Sequence, residues 1–114
     1  CVTCLGPQIS MNSGSQTLTC GNIYQFFDSG GPSGNYSNNE NITQTFYPST
    51  QGSCMSIVFQ GINTANNDIL SIYNGSSTAS PLIGSYVNQS LPPAFNTNGP
   101  VTFQWVSNGT NNRV

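Results

Sequence analysis

The chain has 114 residues and a formal net charge of −2, and only 4% of its residues are charged, against roughly a quarter in an average soluble protein. Arg113 is the only base, so the basic surface that nucleic acid or anionic lipid requires is not expected, and neither partner is predicted. The length fits one domain, and a hydrophobic content of 35% with 11% aromatic residues predicts a folded core rather than disorder.

Short runs rich in β-branched and aromatic residues follow one another along the chain, and Gly, Pro and Asn clusters separate them. A period of two residues is clearest in the last run, where Val101, Phe103 and Trp105 fall on one face. No helical period occurs, so the pattern predicts an all-β jelly-roll or sandwich with antiparallel Greek-key strands. The predicted strands are residues 22–27, 42–47, 54–60, 68–74, 81–87 and 101–107.

An even number of cysteines in a chain with so little charge indicates an oxidising compartment, and therefore a secreted or cell-surface protein. Disulfides are predicted, and the residues alone leave three pairings open. A zinc site is not favoured, because there is no His and the spacing is unusual. Lipidation of the first cysteine is an alternative, whereas no apolar run is long enough for membrane insertion. The cysteines are Cys1, Cys4, Cys20 and Cys54.

Asn-x-Ser/Thr sequons are dense, and they fall on predicted loops or strand edges. Covalent glycans at these sites would supply the solubility that a nearly uncharged surface lacks. The sequons begin at Asn35, Asn41, Asn74, Asn88 and Asn108.

Catalysis is not predicted. The only acids are Asp28, Glu40 and Asp68, and nothing in their spacing suggests that two of them converge. Without His or Lys, a Ser or Cys nucleophile would lack a base.

Several pieces occur in an order that resembles a CUB domain, most closely the CUB-like modules of bacterial surface proteins. The resemblance covers residues 20–114 and implies a jelly-roll sandwich. It also implies a disulfide between Cys20 and Cys54. Cys1 and Cys4 would then either stabilise a bend within residues 1–19, here called the leader, or link subunits. The pieces are Cys20-Gly21, FFDSGGPSGNYSNNENIT at 26–43, CMSIVFQGINT at 54–64, DILSIYNG at 68–75, PLIGSY at 81–86 and Ser107-Asn108-Gly109.

The chain departs from the family at its calcium ligands. CUB domains often bind calcium through one Glu and two Asp residues, whereas here only Asp68 is kept, and Ala65 and Asn108 stand at the other two positions. A single carboxylate binds a hard cation weakly. The resemblance therefore implies a degraded calcium site at Asp68 and Asn108, and no cofactor is predicted.

The chain also departs at its two ends. The resemblance implies that residues 20–114 lack the usual last strand of the family, and residues 1–19 precede them as a leader. Three alternatives are open: the leader folds back onto its own sheet, it inserts into a neighbouring subunit as a donor strand, or the chain continues beyond Val114.

The function predicted from these observations is that of a non-enzymatic subunit of a secreted, glycosylated fibre or surface assembly. Its copies would polymerise head to tail by β-strand complementation. The alternative is an adhesion module of a larger surface protein, which would hold a glycan or a protein with Tyr36, Tyr73 and Tyr86.

Overall fold

The computed structural model of the chain is all-β, and no α-helix occurs in the part that it describes. The described residues are 8–19, 24–31, 36–49, 55–59, 68–87, 93–97 and 99–108. The strands are β1 (Gln8–Ser10), β2 (Gly14–Leu18), β3 (Gln25–Phe27), β4 (Asn41–Pro48), β5 (Met55–Ile57), β6 (Ile69–Tyr73), β7 (Leu82–Val87), β8 (Phe95–Thr97) and β9 (Val101–Val106).

A mixed five-stranded sheet organises the fold, with strand order β2-β4-β9-β6-β7. All its neighbours are antiparallel except β2 and β4, which run parallel. Two small sheets accompany it: β1 pairs with β3 in parallel, and β5 pairs with β8 in antiparallel orientation.

The core lies on one face of the large sheet, here called the inner face. Val101, Phe103 and Trp105 alternate along β9 and are at most 4% exposed, which confirms the predicted period of two residues. Phe46 of β4 and Ile72 of β6 are buried beside them. Each such side chain stabilises the fold by about 1.5–3 kcal/mol on burial, so β9 is the centre of the sheet energetically as well as spatially.

The small sheets lie against this inner face. The ring of Phe26 in β3 meets that of Phe46 edge to face at 5.0 Å, and Ile57 of β5 and Phe95 of β8 also pack on the core. The predicted all-β class is therefore confirmed, and the mixed sheet is compatible with a β-sandwich. Each predicted strand segment overlaps an observed strand, although β3 and β5 are shorter than predicted, and β1, β2 and β8 lie outside the six predicted segments.

The opposite side of the large sheet, here called the outer face, carries the alternate side chains. Among the described residues of its strands, this face holds no acid or base. The turn 74–81 folds over one end of it, where Thr102 Oγ1 donates to Gly75 O at 2.9 Å and Thr45 Oγ1 donates to Ser76 O at 3.4 Å. The outer-face residues include Ser15, Thr17, Asn41, Thr43, Thr45, Tyr47, Ile69, Ser71, Tyr73, Leu82, Ser85, Val87, Thr102, Gln104 and Val106.

Candidate functional site

A fully buried acid marks the corner where β6 begins and β9 ends. Asp68 is 0% exposed; its Oδ2 accepts a hydrogen bond from the Tyr36 hydroxyl at 2.5 Å, and its Oδ1 accepts one from the Asn108 backbone N–H at 2.8 Å. The Tyr36 ring meets Trp105 edge to face at 4.8 Å. The carboxyl group therefore joins the loop that carries Tyr36 to two strands of the large sheet.

This corner brings together the two predicted calcium ligands, Asp68 and Asn108. Each Asp68 oxygen already accepts a protein hydrogen bond, and the contact from Asn108 is a backbone donor, which cannot bind a cation. Among the described residues, no three His, Cys, Asp or Glu side chains are close enough to hold a metal ion. Calcium prefers six to eight oxygens, and among the described residues this corner offers one carboxylate, whose two oxygens both accept protein hydrogen bonds.

The second acid closes the same loop, residues 28–40, of which 28–31 and 36–40 are described. Glu40 Oε1 accepts hydrogen bonds from Ser29 Oγ at 2.7 Å and from the Ser37 N–H at 2.9 Å. Ser107, buried at the end of β9, accepts from the Glu40 N–H at 2.8 Å and donates to Ser37 O at 2.7 Å. The resemblance identified Ser107 only as part of the piece 107–109, and no local pattern in the sequence predicted that it would bond to Glu40 and Ser37.

The third acid begins the 28–40 loop. Asp28 Oδ1 accepts from the Gly30 N–H at 2.8 Å. Partial burial raises the pKa of Asp28 above its ordinary value of 3.8, and the negative charge of Glu40 raises it further. The spacing of Asp28 and Glu40 in the chain does not predict an interaction, yet the loop places Glu40 near enough to affect the pKa of Asp28.

Gly31 allows the tight course of this loop. Its φ is +74°, and a Cβ there would lie 3.2 Å from Ser10 Oγ of β1. A side chain is therefore disfavoured by the backbone conformation and by the close approach of the leader.

The leader enters the core through two side chains. Ile9 and Met11, two residues apart, are each 8% exposed and belong to the same cluster as Phe46 and Trp105. The Met11 N–H donates to Phe27 O at 2.9 Å. In the sequence, Ile9 and Met11 alternate with Gln8 and Ser10, which places the pair on one face of an extended segment but does not show where that face is buried.

After Met11 the leader crosses from the small sheet to the large one. The Asn12 N–H donates to Gln44 Oε1 at 3.0 Å, and β2 then runs along β4 with Gly14 to Thr17 exposed. In the structure of this single chain, the leader thus lies in cis: β1 pairs with β3 in a small sheet, and β2 is the edge strand of the large sheet. The described attachment of the leader comprises the buried Ile9 and Met11, the partly buried Leu18, the pairing of β1 with β3 and of β2 with β4, and a few further hydrogen bonds.

Three of the predicted glycosylation sites lie among the described residues. Asn41 is exposed at the start of β4, and Asn74 is exposed in the turn after β6. Asn108 is half-buried, and both of its backbone groups are bonded, to Asp68 and to the Asn39 N–H. Asn35 and Asn88 lie outside the described residues.

The three tyrosines that were predicted to contact a glycan or a protein differ in their exposure. Tyr36 is not a surface residue: it is 2% exposed, and its hydroxyl is bonded to Asp68. Tyr86 is half-buried and packs on the core, whereas Tyr73 lies on the outer face, with its hydroxyl 3.4 Å from Gln104 Oε1.

The predicted disulfides involve residues that the structure does not describe. All the cysteines, Cys1, Cys4, Cys20 and Cys54, lie outside the described residues.

No helix in the described part of the chain is long and apolar enough to cross a membrane. No family model matches the sequence, and no curated protein matches it.

Proposed function

We propose that this chain is a structural, non-enzymatic subunit of a secreted, glycosylated extracellular fibre or surface assembly. In that assembly the leader of one copy completes the sandwich of the next, so that copies join head to tail. The observation that carries the proposal is the burial of Ile9 and Met11 in a core built by the rest of the chain. Alternate apolar side chains inserted from an extended segment are the mode of binding by strand complementation.

The energetics favour exchange over simple detachment. Burial of Ile9 and Met11 contributes about 1.5–3 kcal/mol for each side chain, which is too much to leave exposed to water. The same contacts form whether the segment comes from its own chain or from a neighbour, so an exchange loses none of them. An exchange that runs from each copy to the next produces an open fibre rather than a closed dimer.

The edge position of β2 makes the segment separable. β2 pairs with β4 alone, and its residues 14–17 are exposed. Beyond the buried Ile9 and Met11, the described attachments are the partly buried Leu18, the backbone pairing of β1 and β2, and hydrogen bonds such as that from the Asn12 N–H to Gln44 Oε1. Few buried contacts hold a segment of this kind, so its local opening costs less than global unfolding.

A CUB-like sandwich belongs to the same proposal. The strands that carry the resemblance, β6, β7 and β9, are neighbours in the large sheet. Secretion and glycosylation are supported by the nearly uncharged composition and by the exposed sequons at Asn41 and Asn74.

The test is the size of the native protein in solution, by size-exclusion chromatography and negative-stain imaging. We expect polymers from the wild type, and none from a variant that lacks residues 1–19 or from Ile9→Ser/Met11→Ser. The matched control is Ser15→Ala/Thr17→Ala, which changes two exposed positions of the same leader and should leave polymers intact. Polymers that persist without the leader refute donor-strand assembly.

Peptide rescue separates loss of assembly from loss of folding. A synthetic peptide of residues 8–19, added to the variant that lacks 1–19, should restore the buried environment of Trp105 and give monomers only. A variant that is fully folded without peptide would show that the leader completes nothing.

A second candidate function is an adhesion module for a neutral glycan or a protein. The outer face favours it, because Tyr73 and Gln104 lie there beside Ser71 and Ser85, with no charge. A monomeric native protein that binds glycans, and loses that binding on Tyr73→Ala, would favour this candidate over the fibre.

A further inference from the structure

The outer face carries a row of exposed apolar side chains at the end that the 74–81 turn leaves open. Ile69 of β6 is the direct partner of Val106 on one side and of Val87 on the other. The three are 37% to 38% exposed. A row of this kind on a chain with so little charge promotes association unless something covers it.

The strand register places a sequon at the end of this row. Asn41 is the direct partner of Val106, and directly opposed residues share a face of the sheet. The neighbouring residues Ile42 and Trp105 pack in the core, so Asn41 belongs to the outer face. Asn41 is exposed, and three strand spacings, about 14 Å, separate it from Val87.

We propose that Asn41 carries an N-linked glycan that lies along this row and shields it. The C–H faces of its sugar rings would cover Val106, Ile69 and Val87. Its hydroxyls would face water and the adjacent polar row of Gln104 and Ser71. This inference rests on the glycosylation included in the proposed function.

The modification is a glycosyl transfer from an oligosaccharide activated as a diphosphate. The Asn41 side-chain nitrogen bonds to C1 of the first sugar, the C1–O bond to the diphosphate breaks, and the amide proton goes to solvent. Asn41-Ile42-Thr43 supplies the acceptor amide and the hydroxyl residue that define the sequon.

Asn74 provides the matched contrast. It is also an exposed sequon asparagine, but it lies in the 74–81 turn, above the end of the sheet where Thr45 and Thr102 are already covered. A glycan at Asn74 therefore shields none of the apolar row, and its removal should leave the row unchanged.

The experiment uses the full chain secreted by cells that perform N-glycosylation, together with protein from the native source. Glycopeptide mass spectrometry should find a glycan on the Asn41 peptide in both. Asn41→Gln and Thr43→Ala both remove that glycan, and both should increase the fluorescence of a hydrophobic dye and the light scattering. Thr43→Ser keeps the sequon, and Asn74→Gln leaves the Asn41 glycan in place, so both should match the wild type.

A double variant identifies the surface that the glycan covers. In the Asn41→Gln background, Val106→Thr should bring dye fluorescence back towards the wild-type level. An unmodified Asn41 in the native protein overturns the inference, as does dye binding that is unchanged by loss of the glycan or insensitive to Val106→Thr.

The outcome is independent of the test of assembly. Polymers with a bare Asn41 refute the shielding glycan and leave the proposed fibre standing. A glycan on Asn41 of a protein that never polymerises refutes the proposed fibre and leaves the shielding glycan standing.

Discussion

Replacement of Tyr36 by Phe tests whether the buried corner at Asp68 holds the fold together. The change removes one hydroxyl, which donates to Asp68 Oδ2 at 2.5 Å, between groups that are 2% and 0% exposed. Removal of one partner of a buried hydrogen bond, which leaves the other unsatisfied, costs about 1–3 kcal/mol. We expect a loss of about 2 kcal/mol in the free energy of unfolding, and a Tm lower by about 10 °C.

Urea unfolding, followed by tryptophan fluorescence, measures this loss. Trp105 is the only tryptophan, it is 4% exposed, and it contacts the Tyr36 ring, so its emission reports the same corner. Tyr73→Phe is the matched control, because its hydroxyl is part-buried and lies 3.4 Å from its acceptor. We expect the control to change the free energy of unfolding by no more than about 0.5 kcal/mol.

Equal losses from the two variants would refute this reasoning. A double-mutant cycle with Asp68→Asn adds a second criterion, because residues joined by a buried hydrogen bond couple by about 0.5–3 kcal/mol. A coupling near zero would show that Tyr36 contributes through ring packing alone.

The remaining predictions concern the leader, the partly buried acid and calcium. Met11→Ala should lower the free energy of unfolding by about 2–5 kcal/mol, whereas Ser15→Ala in the same leader should be nearly neutral in urea unfolding. The raised pKa of Asp28 contributes stability that is present below pH 3.8 and is lost as the pH rises through the folded-state pKa. Asp28→Asn should therefore be more stable than the wild type at pH 7 and lose that advantage below pH 3.8; an equal difference at both values would contradict this. Calorimetric titration should show no submillimolar calcium binding, and binding that Asp68→Asn abolishes would overturn the view of Asp68 as a structural group.

The strands that sequence predicted are those whose burial follows a local period. Val101, Phe103 and Trp105 alternate with more polar residues, and such alternation is sufficient to place β9. β8 was missed because it is a three-residue strand, Phe-Asn-Thr, whose pairing with β5 depends on tertiary contacts. The parallel pairings of β1 with β3 and of β2 with β4 join segments that no local signal connects.

The candidate site was predicted only in part, for the same reason. Asp68 and Asn108 were identified through the resemblance, and the structure places them in contact. Tyr36 was predicted as a surface contact, but it is the donor to Asp68 from 32 positions away in the chain. Sequence periodicity reports which face a side chain occupies within its own strand, and it does not report a partner that a loop delivers.

The stretch DSGGPSGNYSNNENIT, at 28–43, has the composition of a flexible linker, yet all the acids of the chain bond to its loop. Asp28 accepts a hydrogen bond from Gly30, Glu40 accepts from Ser29 and Ser37, and Asp68 accepts from Tyr36. The described residues contain no base, so little charge remains to steer one copy towards another. Polymers joined by the leader should therefore form equally at low salt and at about 1 M salt, where charge interactions are screened beyond about 3 Å. Sedimentation at increasing salt concentration measures the amount of polymer. Polymers that dissociate in high salt would show that charged groups, rather than Ile9 and Met11, hold the copies together.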